Sequence, residues 1–214
     1  MRYITIPYFA EKYNFVKVVE DLFQTNRLQD LNEEHSEQFK VGMDSSTSFH
    51  EKFYNKYREG WPEMVDLYER FISDIISPMY SEDFLYQAFP TFRIHLVGNL
   101  AVGAFHTDAE FGHPEFEMNY IIPLTNSYDS ASVWIESEPG KKDYYAAYMM
   151  IGQLIQFNGN KLSHGNKINV TENTRVSMDF RTILSSKLDS KNVSQSITTK
   201  SKFVEGDYYK KFTK

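Results

Sequence analysis

The sequence predicts a mainly β chain in which helices flank an antiparallel barrel or jelly roll. Three observations carry this. The hydrophobic period is helical in the first 80 residues, it becomes two from about residue 90, and the later apolar runs are short and separated by Gly, Pro, Asn and Asp clusters. Because the helices come first and the strands afterwards, the helices are expected to pack on one outer face of the sheet.

Two helices are legible first. Phe15, Val18, Val19, Leu22 and Phe23 recur at i, i+3, i+4, i+7 and i+8, one stripe of an amphipathic helix. Gly60-Trp61-Pro62 marks a second start, since proline at the first helical position lacks only an N–H that has no partner there. Met64, Leu67, Tyr68, Phe71 and Ile75 keep the helical spacing until Pro78 stops it. Residues 25–50 are polar and weakly patterned, and read as a long loop with some helix.

Strand signals follow. Phe92-Arg93-Ile94-His95-Leu96 and Val133-Trp134-Ile135-Glu136 alternate, while Tyr120-Ile121-Ile122-Pro123-Leu124 and Leu154-Ile155-Gln156-Phe157 are short apolar runs. From Arg175 to Arg181 the alternation is complete, with Arg175, Ser177, Asp179 and Arg181 on one face and Val176, Met178 and Phe180 on the other. Such a strand either wets its polar face at an edge or lines a site with it while its apolar face meets the helices. Residues 185–201, rich in Ser, Lys, Thr and Asn, read as a mobile segment or a lid before the aromatic-basic end Tyr208-Tyr209-Lys210-Lys211-Phe212. One domain is expected, with a helical part at 1–88, a β core at 89–184 and a polar C-terminal extension at 185–214.

Composition narrows the class. Aromatic residues are 16% of the 214, which excludes a disordered chain. The net charge of -6 argues against a nucleic-acid or anionic-membrane surface. There is no cysteine, so thiolate metal sites and cysteine nucleophiles are excluded. No apolar run approaches the roughly 20 residues that span a bilayer, and the start lacks a signal-peptide core. The expectation is a cytoplasmic protein with a small-molecule partner, no nucleic-acid or membrane partner, and an oligomeric state left open.

The chemistry concentrates in one constellation. His106-Thr107-Asp108 puts an imidazole and a carboxylate at i and i+2, on one face of an extended chain. His164 lies 56 residues beyond Asp108, far enough to return on another strand. Two histidines and one carboxylate on one side of an ion form a facial triad suited to Fe(II), with three neighbouring positions open. A His-x-Asp tripeptide alone is more often a polar pair on a loop. Here Arg175-Val176-Ser177 follows His164 after ten intervening residues.

Taken together, His106, Asp108, His164, Arg175 and Ser177 resemble the motif of the 2-oxoglutarate/Fe(II)-dependent dioxygenases, over roughly residues 90–184. The runs FRIHLVGNLAVGAFHTD, WIESEPG and LIQFNGNKLSHGNKIN look like a bacterial branch related to an oxygenase of streptomycin biosynthesis. One position departs from the pattern, since His95 stands where many members have the tyrosine of Tyr-x-x-Gly.

The resemblance implies a double-stranded β-helix core of jelly-roll or cupin-like type. It implies iron(II) held by His106, Asp108 and His164, with 2-oxoglutarate and dioxygen as co-substrates. The far carboxylate of 2-oxoglutarate then pairs with a guanidinium, and Arg175 and Arg181 are both candidates on one strand face. They stand six residues apart, roughly 20 Å at about 3.3 Å per residue, so one small diacid reaches only one of them. The spacing from His164 and the following Ser177 favour Arg175, leaving Arg181 as a rim or ion-pair residue. Oxidation of a small polar metabolite is implied, with hydroxylation as the default and desaturation, ring closure or epimerisation open.

Other conspicuous residues carry both a bland and a functional reading. Asn119 either touches the co-substrate or substrate, or makes a strand-end hydrogen bond, and Arg93 and His95 share a face that can meet the pocket. Trp134 reads as core, His113 as part of a loop at the pocket mouth, and His35 and His50 as surface residues. Two rival functions keep the same scaffold. One is a metal-dependent cupin-like isomerase or lyase without 2-oxoglutarate, against which Arg175-Val176-Ser177 argues. The other is a non-catalytic jelly-roll binding module, against which the intact triad argues.

Overall fold

The computed structural model describes residues 3–32, 47–102, 104–189, 193–196 and 200–214. The described residues form ten strands, β1 (Ile4–Pro7), β2 (Phe84–Gln87), β3 (Thr91–His95), β4 (Met118–Pro123), β5 (Val133–Ile135), β6 (Tyr145–Ala147), β7 (Gln153–Phe157), β8 (His164–Gly165), β9 (Arg175–Leu184) and β10 (Tyr209–Phe212). They form two antiparallel sheets, a large one in the order β1-β7-β4-β9-β2-β10, with β3 also on β9, and a small one in the order β6-β5-β8. The chain is thus mainly β with antiparallel sheets and a few helices.

Strand β9 is the spine. Its ten residues pair with β4 along one side, and with β3 and then β2 along the other. Its parity is decisive. Val176, Met178 and Phe180 are fully buried in the main core, while Arg175, Ser177, Asp179 and Arg181 line a cavity on the opposite face. Of the two sequence readings of this strand, the structure has the second.

The apolar face is covered by α1 (Phe15–Phe23), α2 (Ser48–Arg58) and α3 (Pro62–Phe71). Asn14 caps α1 by accepting from the Lys17 N–H, and Thr47 caps α2 by accepting from the His50 N–H. Phe15, Val19, Met64 and Phe71 are all but inaccessible, as the stripes require. Beyond α3 the path widens into a π turn at Ile72–Ile76 and closes in a 3-10 turn at Ser77–Met79, where Pro78 has no N–H to continue it.

Three expectations need correction. Of the loop with some helix expected over 25–50, the described residues hold a 3-10 turn at Leu28–Asp30 and the start of α2 at Ser48, a helix whose face of Phe49, His50, Phe53 and Tyr54 is aromatic rather than aliphatic. His50 is accordingly buried at 1% exposure, with Nδ1 2.8 Å from the Thr47 hydroxyl, and burial pulls its imidazole down to about 4. The sheet is wider than residues 89–184, since β1, β2 and β10 belong to it. Trp134 is half-buried on the outer face of the small sheet beneath the Lys167 ammonium, because Val133 and Ile135 take the inward positions. His35 lies outside the described residues, as does part of the 185–201 segment. Among the described residues, no helix is long and apolar enough to cross a membrane.

Candidate metal centre

The two candidate histidines are locked together by backbone. His106 N–H donates to the His164 carbonyl at 3.0 Å and His164 N–H to the His106 carbonyl at 2.8 Å, so the residues face each other as an antiparallel bridge. Their rings lie 4.7 Å apart, centroid to centroid. Each Nδ1 reaches a carbonyl two residues back, Ala104 for His106 at 2.8 Å and Leu162 for His164 at 3.0 Å. A carbonyl only accepts, so both Nδ1 atoms carry the proton and both Nε2 lone pairs are left for a ligand.

Asp108 completes the group. It opens a 3-10 turn (Asp108–Phe111), where Glu110 accepts from the Thr107 N–H and hydroxyl, and its own N–H donates to the Gly159 carbonyl at 2.8 Å. Asp108 Oδ1 lies 3.9 Å from His106 Nε2 and 3.7 Å from His164 Nε2, and one ligand atom from each of the three falls within 4.8 Å of the others. Two imidazole lone pairs and one carboxylate oxygen converge. That donor set fits a divalent ion of the Fe(II) type.

The other oxygen is already engaged. Asp108 Oδ2 accepts from Asn119 Nδ2 at 2.6 Å and from Arg181 Nε at 2.9 Å. Burial alone would raise this carboxyl, but the Arg181 guanidinium, with His164, holds it well below the usual carboxylate range. Burial likewise pulls the His164 imidazole down to about 4, with Asp108 opposing. Asn119 also accepts from the Gly159 N–H at 3.1 Å, so it positions Asp108 while lining the cavity.

His106, His164, Asn119, Arg175, Ser177 and Arg181 all line one cavity of about 90 Å³, several times the ~10–15 Å³ that one water needs by this measure. His95 does not line it. Fully buried opposite Arg175 in the β3–β9 register, it has Nε2 2.9 Å from the Asn99 carbonyl, and burial lowers its imidazole to about 3. His113 is not one of the three grouped ligand candidates and has Nδ1 2.7 Å from Glu117 Oε2.

The two arginines differ in what neutralises them. Arg181 is buried at 8% exposure rather than on a rim, and its shortest ion pair is with Asp108, with Glu117 and Asp179 each at 3.8 Å. Arg175 is buried at 3% exposure and forms no ion pair among the described residues. Its Nη1 donates to the Ala131 carbonyl and to Asn166 Oδ1, both at 2.8 Å, while its Nε is buried with no hydrogen-bond partner. Burial, reinforced by Arg93, pulls this guanidinium down to about 9. Asp179 opposes this only from a distance, so the guanidinium has no ion-pair partner among the described residues. Sequence reading offers Arg181 as an ion-pair residue but not its partner Asp108, and it misses the Arg93–Asp179 pair at 2.6 Å and the role of Gly159, none of which has a local signature.

No family model matches the chain. It is 38% identical over 166 residues to the streptomycin biosynthesis protein StrG of Streptomyces griseus, covering 78% of this chain and 77% of that one. The chain belongs to the StrG family. Among solved structures it is similar to HygX from Streptomyces hygroscopicus with nickel and 2-oxoglutarate bound, at a TM-score of 0.50 and 10% identity, over 86% of this chain and 83% of that one. The apo form of HygX gives the same TM-score at 12% identity. The fold is therefore similar to that of HygX, whose structure holds nickel and 2-oxoglutarate.

Proposed function

We propose that this chain is a non-haem iron(II) oxygenase that consumes 2-oxoglutarate and dioxygen while oxidising a small polar metabolite. The supporting observation is a buried Arg175 guanidinium, in no ion pair among the described residues, in the cavity lined by His106 and His164, the two histidines that converge with Asp108. A buried cation without an ion-pair partner is costly, and a dicarboxylate offers the missing charge. The rival isomerase or lyase has no use for it.

In this reading the two sheets form a double-stranded β-helix with the site between them. His106, Asp108 and His164 hold the ion, and Arg175, with Ser177 beside it, binds the far carboxylate of 2-oxoglutarate. When bound, iron(II) with its co-substrates supplies the oxidative decarboxylation of 2-oxoglutarate to succinate and carbon dioxide, coupled to oxidation of the substrate. The chain itself orients and dries the site. The Nδ1 hydrogen bonds fix both imidazole rings, Asn119 and Arg181 fix the carboxylate, and Ile121, Val133 and Phe157 exclude water from the cavity wall. Hydroxylation is the default outcome. StrG adds a context of streptomycin biosynthesis, which fits a metabolite substrate, and HygX one of 2-oxoglutarate binding.

The test is succinate release. Purified protein with Fe(II), ascorbate, oxygen and 2-oxoglutarate should form succinate slowly, and faster when the true substrate is added from a metabolite pool. A turnover that proceeds under nitrogen without 2-oxoglutarate would sink the proposal.

A further inference from the structure

Behind Asp108 lies a buried ionic cluster that the proposed reaction does not use directly. Arg181 stands opposite Asn119 in the β4–β9 register, so both donors to Asp108 Oδ2 come from one cross-strand pair. Arg181 is itself seated from behind. Its Nη1 donates to the Tyr208 hydroxyl at 3.3 Å, and Tyr208 donates onward to Gln87 Oε1 at 2.9 Å. Its Nε also lies 3.8 Å from Glu117 Oε2. Glu117 is fully buried, pairs with His113 at 2.7 Å and accepts from the Tyr209 hydroxyl. Residues close to the C-terminus thus reach the back of the candidate metal ligand.

We propose that Arg181 is a positioning residue that holds Asp108 as a one-oxygen ligand and so keeps three coordination positions of the ion open. The inference rests on the reading of His106, Asp108 and His164 as a metal centre. Its physical basis is the asymmetry of the carboxylate. Oδ1 faces both histidines, whereas Oδ2 already accepts two hydrogen bonds, one of them charge-assisted. Turning Oδ2 toward the ion would strip Arg181 of its closest counter-ion in a buried site, which is expensive. A carboxylate free to bind through both oxygens would occupy one of the positions that co-substrates need.

The experiment compares the full-length wild type with Arg181→Gln and with the double variant Arg181→Gln/Glu117→Gln. Each is titrated with Mn(II), its Co(II) absorption spectrum is recorded as a report of coordination, and its thermal midpoint is measured. Arg181→Gln alone removes the guanidinium 3.8 Å from the buried Glu117 carboxylate, so a loss of folding there would be ambiguous. The double variant removes that charge and should recover much of the thermal midpoint. The expected result is a roughly 10- to 100-fold loss of Mn(II) affinity in both variants, with a changed Co(II) spectrum that persists in the double variant. Mn(II) affinity that returns with the thermal midpoint, under an unchanged spectrum, would make Arg181 a purely structural residue and overturn the inference. Wild-type protein that binds neither ion would overturn the metal centre itself, and this inference with it.

Discussion

Gly159 and Asn119 approach so closely that a methyl group on the glycine would sit 2.7 Å from the Asn119 amide nitrogen. The contact matters because that nitrogen donates to Asp108 Oδ2, while Asn119 Oδ1 accepts from the Gly159 N–H. Only a residue without Cβ lets the amide reach both.

Gly159→Ala should therefore weaken metal binding without unfolding the chain. Its φ is not in the left-handed region, so the backbone tolerates alanine and the strain falls on the Asn119 side chain. A loss of about 10- to 100-fold in Mn(II) affinity is expected, the usual range when an outer partner of a ligand is displaced. Calorimetric titration checks it. Unchanged affinity would mean that Asn119 does not position the carboxylate.

What the sequence could show was whatever repeats locally. The polar and apolar faces of β9 are visible from Arg175 to Arg181 because period two is a property of neighbours, and the α1 stripe from Phe15 to Phe23 is visible for the same reason. Parity could not choose between Arg175 and Arg181. Their counter-ions differ, and the one that matters, Asp108, is 73 residues away from Arg181. Helix α2 was missed because Phe49, Phe53, Tyr54 and Tyr57 are set among charged residues, so its inner face shows only as aromatic spacing. Strands β1 and β10 are four residues each at or near the sheet margin, and their partners β7 and β2 are distant in the chain.

Packing gives a stability prediction. Phe53 on α2 stacks on Phe92 of β3 with centroids 4.5 Å apart, and both are fully buried. Phe53→Ala should cost about 3–5 kcal/mol by leaving a cavity between helix and sheet. Urea denaturation measures this directly. A loss under about 1 kcal/mol, the scale of most surface substitutions and below, would show that α2 contributes little to the core.

Acid should destabilise the apoprotein well before its carboxylates titrate. Burial lowers His50 and His164 to about 4 and His95 to about 3, whereas in the unfolded chain each takes its proton near 6.5. Between those limits the unfolded state binds more protons. Stability is therefore full above about pH 6.5 and falls as pH drops toward 4, by up to about 1.4 kcal/mol per pH unit for each histidine. His50→Leu should flatten the slope of stability against pH by about one third, since it removes one of the three groups. An identical slope in that variant would show that His50 is solvated.

The final prediction concerns Arg175, whose charge is the one the cavity leaves unanswered. With the metal site saturated by Mn(II) under anaerobic conditions, 2-oxoglutarate affinity can be measured without turnover. Arg175→Ala removes the guanidinium from a desolvated wall, and truncating such a charged pair costs roughly 2–5 kcal/mol, or about 30- to 4000-fold in affinity. Arg175→Lys should recover only part, because an ammonium keeps the charge but loses the planar fork. Ser177→Ala should cost about 1 kcal/mol, the worth of one hydrogen bond. Arg181 behaves differently for a physical reason. Its charge is already met by Asp108 at 2.9 Å, and it could bind a second carboxylate only by abandoning that pair. Substituting Arg181 should therefore shift metal affinity, while at saturating metal the 2-oxoglutarate affinity falls much less than in Arg175→Ala. The reverse pattern, a large loss at Arg181 and little at Arg175, would move the co-substrate to the other end of the strand and leave the buried Arg175 charge to be explained by a different anion.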